Sequence, residues 1–258
     1  MDTTESIATA SLDHVLPRVS VLIPNHNYGR YIAGTLHSVL AQTYQPLDVI
    51  VIDDGSRDDS VRVIEQSLAL FSSPRRTVFH RQAANAGKLA ALNAVMHEIT
   101  APYTLTLDAD DQLEPEYIAR CLQTLIEARE QDAQMALVYT DCLLIDESGG
   151  IIDRGRSTAF DAKTLQTMSY IPEPALCLSQ ACLDVMPFDT RIKVGTKHHK
   201  WLRMVAQGWK GLHIAEPLIR YRMHNKNLSG IGKRVLSEIE SGQRGERILS
   251  GYWVATRI

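Results

Sequence analysis

The amino-acid sequence predicts an α/β protein with a mostly parallel, Rossmann-like central sheet that is flanked by helices. Apolar and β-branched runs alternate with segments of helical apolar spacing between residues 19 and 107. This alternation is typical of parallel strands that are joined by right-handed helical crossovers. Polar residues follow the predicted strands, and in such sheets ligands bind beyond the carboxyl ends of the strands. The sequence therefore predicts a ligand site at that edge.

Each element of the first half is supported by its own pattern. The first strand is β-branched and closes at Pro24, and the second runs into Asp53. The first helix carries Ile32, Leu36 and Val39 at helical spacing. The predicted strands span 19–24, 47–52, 77–80 and 103–107, and the predicted helices span 31–42, 58–71 and 88–98.

The second half is less regular and predicts a smaller mixed region. Pro115 lies near the first turn of a predicted helix, and residues 148–150 predict a hairpin turn. A long extended segment is predicted to break at Pro217. The predicted helices span 115–129, 161–168 and 200–207, the strands span 135–145 and 151–152, and the extended segment spans 211–223.

The chain shows no internal repeat, low-complexity tract or linker, so we expect one domain at residues 18–230. Its halves are residues 18–112 and 113–230. Residues 1–17 are rich in Thr, Ser and Ala and predict a disordered leader. Residues 231–258 predict a helical tail.

Composition excludes several classes of function. The net charge of −3 gives no bulk electrostatic attraction to nucleic acid. The four cysteines form no C-x-x-C pair and are typical of reduced thiols in a cytosolic protein. No apolar run approaches the roughly 20 residues of a membrane-spanning helix, and no signal peptide is evident at the N-terminus. We therefore expect a cytoplasmic protein.

The segment Leu105–Asp111 is the most informative part of the chain, because apolar residues lead directly into Asp108, Asp110 and Asp111. Carboxylates this close repel one another unless a cation or hydrogen-bond donors lie among them. Mg²⁺ and Mn²⁺ prefer carboxylate oxygens and commonly bridge to phosphates. The pattern indicates a divalent-metal site for a phosphorylated ligand. An acidic turn that caps the next helix explains it equally well.

Several segments together resemble the family 2 glycosyltransferases, which have the GT-A fold. The resemblance implies transfer of a sugar from a nucleoside-diphosphate donor to a hydroxyl acceptor with inversion, and UDP is the expected nucleotide. Residues 18–112 would form the nucleotide-binding half and residues 113–230 the acceptor half. The matching segments are Val19–Tyr28, Ser38–Thr43, Val49–Ser56, Asn85–Lys88 with Asn93, Leu107–Asp111, the Trp201-Leu202-Arg203 stretch and Glu216–His224.

The resemblance implies a donor site along the predicted edge. The loop from Pro24 to Tyr28 and Asp54 would hold the nucleobase and ribose, while Asp53 would assist or only cap its loop. Lys88 would reach the diphosphate or the base, although a solvated lysine at a helix start is the plainer interpretation. Asn93 is expected to tie its helix to a neighbouring loop. The donor-binding set is Pro24, Asn25, Asn27, Tyr28, Asp53, Asp54, Asn85, Lys88, Asp108, Ala109 and Arg222.

The same resemblance implies a D-x-D metal motif for Mn²⁺ or Mg²⁺. Asp110 is the first choice as metal ligand, with Asp108 near the ribose or donor sugar and Asp111 as a helper or helix cap. Arg222 and His224 would face the diphosphate or the metal. A packed or capping role is the alternative for His224.

The pattern breaks where the family places its general base. The helix that bears Trp201-Leu202-Arg203 usually opens with Glu-Asp, whose aspartate takes the proton of the acceptor. Here the opening is Thr196-Lys197. A protonated lysine has no free lone pair, and a base role would need its pKa to fall by about three units.

Three interpretations of this break stay open. His198 or His199 is the base, with His199 slightly favoured, although a solvated basic helix start explains the pair equally well. Alternatively, an acid from another segment, Glu173 or Asp184, takes the proton. In the third interpretation the chain binds a nucleotide sugar without turnover.

Two other enzyme classes are disfavoured because no glycine-rich loop follows the first strand: nucleotidyltransferases and Rossmann dehydrogenases. The acceptor is expected to be a saccharide, a lipid-linked sugar or a small molecule. The apolar residues of the tail suit packing on the core, a homodimer, or peripheral contact with the inner face of a membrane.

Overall fold

The computed structural model describes residues 16–71, 75–193, 195–227, 231–242 and, for the backbone alone, 246–248. Strands and helices alternate through the first half and become mixed in the second. The strands are β1 (Val19–Asn25), β2 (Leu47–Asp53), β3 (Arg76–Arg81), β4 (Tyr103–Thr106), β5 (Gln112–Leu113), β6 (Met135–Ile145), β7 (Ile151–Arg156), β8 (Leu176–Leu178), β9 (Lys210–Arg222) and β10 (Glu246–Ile248). The α-helices are α1 (Gly29–Leu40), α2 (Ser60–Leu68), α3 (Lys88–Ala94), α4 (Tyr117–Gln131), α5 (Ala162–Leu165), α6 (Ser179–Leu183), α7 (Thr196–Ala206) and α8 (Ile231–Glu240), and a short 3₁₀ helix spans Met96–Glu98.

The first half forms the parallel part of the sheet, in the order β4-β1-β2-β3. Val19 of β1 is in register with Leu47 of β2 on one side and with Tyr103 of β4 on the other. β1 and β2 are buried along almost their whole length, which explains their nearly continuous apolar sequence. The predicted α/β class with a mostly parallel sheet is confirmed.

The second half adds mixed pairing to this sheet. β8 lies antiparallel between β4 and β6, and β7 is antiparallel to the end of β6. β9 runs parallel to β6 and also pairs with β5, immediately after the acidic segment. This return of β9 brings the C-terminal part of the domain against the carboxyl end of β4.

The second half differs from the sequence-based predictions in several features. β9 continues through Pro217, where a shift in its register with β6 accommodates the proline. β5 and β8 are only two and three residues long, too short to show a periodicity. α7 begins at Thr196, four residues before the predicted start, so both His198 and His199 are helical.

The core has one layer on each face of the sheet. Val49 and Val51 of β2 pack with α1, α2 and α4, whereas Ile50 and Ile52 face α3, α6 and α7. Successive side chains of a strand point to opposite faces, so a strand with helices on both sides buries them all. Trp201 of α7 is fully buried in the second layer.

Parts of the terminal predictions lie outside the described residues. These are residues 1–15 of the predicted leader and most of the predicted tail beyond Gly242, including its apolar end. The described part of the tail contains helix α8 and strand β10. Across the described residues, no helix is both long enough and apolar enough to cross a bilayer. All four cysteines are buried free thiols.

Candidate functional site

The loops after β1 and β2 are joined by side-chain hydrogen bonds. Asn25 Nδ2 donates to Asp53 Oδ1 at 2.9 Å, and the backbone N–H of Ser56 donates to Asp53 Oδ2 at 3.0 Å. Asp53 is therefore occupied in capping its own loop, which was one of its two predicted roles. Pro24 lies inside β1, one residue before Asn25.

Asp54 connects the β2 loop to the loop before α3. Its Oδ1 accepts from the N–H of Ala86 at 2.8 Å and its Oδ2 from the N–H of Gly87 at 2.7 Å. Asp54 is buried, and both of its carboxylate oxygens are occupied by these backbone hydrogen bonds. This pairing fixes the position of Lys88, the first residue of α3.

The loop after β1 is folded by its own polar side chains. Asn27 has a left-handed backbone (φ 58°), and its Oδ1 accepts from Arg57 N at 2.7 Å. The exposed ring of His26 lies 3.0 Å from Asn85 Nδ2, which closes the gap to the loop before α3. The Tyr28 ring lies 5.9 Å from the His224 ring, edge to face. The predicted nucleobase residues are thus brought together.

The acidic segment meets the end of β9. His224 Nε2 donates to Asp110 Oδ2 at 2.9 Å, and both residues are buried. The N–H of Lys226 donates to His224 Nδ1 at 3.1 Å, which leaves the ring proton on Nε2. The structure therefore pairs two of the four side chains that the sequence predicted as metal ligands.

Asp111 is fully buried, and its two carboxylate oxygens differ in their partners. Oδ1 accepts from Arg222 N at 2.9 Å, while Oδ2 has no hydrogen-bond partner among the residues that the structure describes. Burial, together with neighbouring Asp110 and Asp108, raises the pKa of Asp111 well above its usual range. A buried carboxylate oxygen without a partner is an unfavourable arrangement that a cation would relieve.

Hydrogen bonds from Arg222 and Thr35 hold the acidic segment in place. Arg222 Nε donates to the carbonyl of Asp110 at 2.9 Å, and Nη1 donates to the carbonyl of Asp146 at 2.8 Å. The Ala109 carbonyl accepts from Thr35 Oγ1 at 2.9 Å. Arg222 thus clamps the segment to the β6–β7 hairpin, and Thr35 clamps it to α1.

Lys88 lies between two carboxylates. Its ammonium contacts Asp108 at the rim and Glu173 Oε2, at 2.6 Å, in the interior. Burial opposes the charged form, but Asp108 and Glu173 raise the pKa of Lys88 above its ordinary value. Lys88 is therefore a fixed cation beside the acidic segment, and not the solvated lysine of the plainer interpretation.

Neither histidine of α7 joins the acidic segment. His198 is buried and donates from Nε2 to the Leu165 carbonyl at 2.7 Å, so it is not placed to take a proton from an acceptor. Both ring nitrogens of His199 are buried and have no hydrogen-bond partner within the described ranges. Burial lowers the pKa of each ring.

The two alternative acids lie in contrasting surroundings. Burial alone would raise the pKa of Glu173, but Lys200 and Lys88 lower it to about 2. Asp184 is exposed and accepts from Gln180 Nε2 at 2.6 Å. Lys197, at the position of the missing aspartate, is in the field of Glu173 and the acidic segment, and burial lowers its pKa to about 8.

Comparison with known proteins decides the family. A model of glycosyl transferase family 2 matches residues 20–157, more than half of the chain. The chain belongs to this family. The chondroitin synthase of Escherichia coli is 35% identical over 151 residues, which are 58% of this chain and 21% of that protein. The chain thus spans about a fifth of the length of this curated relative.

Solved structures show that this family 2 member has the GT-A type of fold. TarS from S. aureus in complex with UDP is 14% identical, with a TM-score of 0.61 over 86% of this chain and 65% of that one. The mannosyltransferase PcManGT from Pyrobaculum calidifontis, in complex with GDP-Man and Mn²⁺, is 17% identical. Its TM-score is 0.62, and the match covers 90% of this chain and 66% of that one.

The donor atoms of this family 2 site suit a hard divalent cation. In the described part of the chain, no three acid, histidine or cysteine side chains are already arranged as a metal site. The chemistry nevertheless fits, because three aspartates and an imidazole are gathered and Asp111 Oδ2 accepts no hydrogen bond from the described part of the chain.

Sequence reasoning did not find the partners of these residues. Glu173 was considered only as a base, and Lys200 and Thr35 were not considered at all. Glu173 lies between two prolines within the apolar run 170–176, and a charged residue in such a run indicates a buried ion pair.

Proposed function

We propose that this chain transfers a sugar from a nucleoside-diphosphate donor, a UDP-sugar, to a hydroxyl acceptor with inversion, using Mn²⁺ or Mg²⁺ at the D-x-D segment Asp108–Asp111. One observation carries the proposal. The loops after β1, β2 and β4 and the end of β9 meet at one edge, where carboxylates lie beside fixed cations. This is the combination that a metal-bridged diphosphate requires.

The nucleotide would lie across the first two loops. Asn25, Asn27 and Tyr28 offer amide and aromatic surface, and Asn85 faces them across the gap. Asp54 acts by holding the loop before α3 in place, since both of its oxygens are occupied by backbone N–H groups. UDP in TarS and GDP-Man in PcManGT support a nucleotide donor, and UDP is our choice.

The diphosphate would meet Lys88 and the acidic segment. Asp110, with Asp108 or Asp111, would hold the divalent ion, as the Mn²⁺ complex of PcManGT supports. His224 would join them as a ligand on release of the Nε2 proton that it donates to Asp110. When bound, that ion neutralises charge on the leaving diphosphate. Lys88 supplies a second positive charge whose position is fixed by its own carboxylate partners. Arg222 would act by holding the segment in place.

A thermal-shift panel tests donor and metal binding. We expect UDP with Mn²⁺ to raise the melting temperature, because a ligand that binds only the folded state stabilises it by mass action. Asp110→Ala should remove the shift. Glu130→Ala, at an exposed carboxylate on α4, is the matched control and should retain it. No shift of the unmodified chain with UDP or GDP would contradict the proposal.

The second candidate is a nucleotide-sugar-binding protein without turnover. Lys197 favours it, because it occupies the position where the family places an acidic base. His199 and Lys197 are the remaining side chains for a base role. Hydrolysis and transfer assays with UDP-sugars, on the unmodified chain, His199→Ala and Lys197→Met, separate the candidates. Donor binding without turnover in any assay supports the second.

The acceptor is proposed only by class: a saccharide, a lipid-linked sugar or a small molecule. Contacts with it would come from residues 113–230, the half that carries α7 and β9. The division at residue 112, a cytoplasmic location, and a homodimer or peripheral membrane contact through residues 231–258 remain predictions.

A further inference from the structure

Glu173 is a buried carboxylate that the proposed sugar transfer does not use. Only 6% of the residue is exposed, yet both of its oxygens are engaged. Oε2 accepts from Lys88 Nζ at 2.6 Å, and Oε1 accepts from the ammonium of Lys200. Lys200 is equally buried, and its Nζ lies 4.0 Å from the centre of the Trp201 ring.

Burying this ion pair in the core is energetically unfavourable compared with apolar packing. Taking a lysine and a glutamate out of water costs several kcal/mol per ion, and apolar residues of similar volume are often as stable or more so. The Glu173–Lys200 pair therefore calls for a role other than stability. Lys88 links this pair to the rim, because it spans from Glu173 to Asp108.

The two carboxylates that hold Lys88 differ in their surroundings. The Asp108 side chain is 34% exposed and belongs to the D-x-D segment, whereas the Glu173 side chain is 3% exposed. An incoming diphosphate can replace Asp108 as a partner of the ammonium, but it cannot reach Glu173. Of the two carboxylate partners of Lys88, Glu173 is thus the fixed one and Asp108 the exchangeable one.

We propose that Glu173 is a positioning residue that anchors Lys88 for the diphosphate of the donor, and that Lys200 is the buried counter-cation that holds Glu173 in place. The inference rests on the proposed function and adds to it a residue outside the D-x-D segment. Glu173 acts through Lys88 and does not touch the donor.

The test measures UDP binding in the presence of Mn²⁺ by calorimetry. We expect Glu173→Gln to weaken UDP about tenfold, equivalent to 1.4 kcal/mol, because a neutral amide holds one ammonium poorly and repels the other. Glu173→Asp should restore part of the affinity. In a Lys88→Ala background, Glu173→Gln should have no further effect, which a merely structural role would not predict.

A double variant that replaces both Glu173 and Lys200 serves as the control for folding. Glu173→Gln with Lys200→Met leaves no unpaired ammonium in the core and should fold, as circular dichroism will show, while binding UDP as weakly as Glu173→Gln. Unchanged UDP affinity in this double variant, or equal losses with and without Lys88, would overturn the anchoring role. Failure of the unmodified chain to bind UDP would instead refute the proposed function.

Discussion

His224 donates a hydrogen bond from Nε2 to Oδ2 of Asp110 across 2.9 Å, although the two residues are 114 positions apart. The N–H of Lys226 at Nδ1 fixes the tautomer that makes this bond. The imidazole and the carboxylate that we propose as metal ligands are thus held together by a hydrogen bond. The pair links the end of β9 to the segment after β4.

Removing His224 should weaken both stability and donor binding. His224→Ala leaves the buried Asp110 carboxylate without its donor, which costs about 1–3 kcal/mol. We expect UDP affinity with Mn²⁺ to fall at least about tenfold, a typical loss for a changed metal environment. Urea unfolding and calorimetry measure the two effects. His97→Ala, at an exposed histidine, should change neither; unaltered binding in His224→Ala would contradict the role.

Asp54 and Asp58 offer a matched pair of substitutions. Each carboxylate accepts from two backbone N–H groups, but Asp54 holds Ala86 and Gly87, whereas Asp58 holds Gly29 and Ser60. Alanine at the buried Asp54 should cost about 2–3 kcal/mol in unfolding free energy, because charge-assisted bonds are lost. Alanine at the exposed Asp58 should cost less, because water can replace the lost acceptor.

Only Asp54→Ala should also reduce UDP affinity, since it alone releases the loop that carries Lys88. Denaturant curves and UDP titrations on both variants make the comparison. Equal losses of affinity would show that loop anchoring is not specific to Asp54.

Lys197 gives a pH-dependent prediction. Burial lowers its pKa from 10.5 to about 8. Between these values the unfolded chain binds one proton more than the native protein, so the free energy of unfolding rises with pH in this window. Lys197→Met lacks this titration. Its stability relative to the unmodified chain should therefore be greatest below pH 8 and decline towards pH 10.5.

Urea unfolding at several pH values tests the Lys197 prediction. Lys233→Met, at an exposed lysine on α8, is the control and should differ from the unmodified chain by a constant amount. A constant difference for Lys197→Met as well would mean that its pKa is close to normal.

Gly55 is required by both its backbone and its surroundings. Its φ is +66°, and a Cβ atom would lie 2.6 Å from the carbonyl carbon of Ala84. Gly242 has a φ of +87°, and no atom of the described residues lies within 4 Å of its Cβ position. We expect Gly242→Ala to cost about 1–2 kcal/mol from the backbone alone, and Gly55→Ala to cost about 1–3 kcal/mol more from the clash. Equal costs in urea unfolding would contradict this.

The sequence predicted the parallel half of the fold well, because its signals are local. The apolar run at 47–52 and the helical spacing of Ile32, Leu36 and Val39 depend only on near neighbours. β5 and β8 were missed because two or three residues carry no period. The start of α7 was placed late because Lys197, His198 and His199 interrupt the apolar pattern.

The sequence by itself determined that acids follow β4 and that polar loops end the neighbouring strands, since these features belong to adjacent residues. Only the tertiary structure decided their partners. Lys88 meets Glu173 across 85 positions, and Asp110 meets His224 because β9 returns to β5. It also decided the ionisation of Lys197, because burial and surrounding charge, which no local pattern specifies, set a pKa.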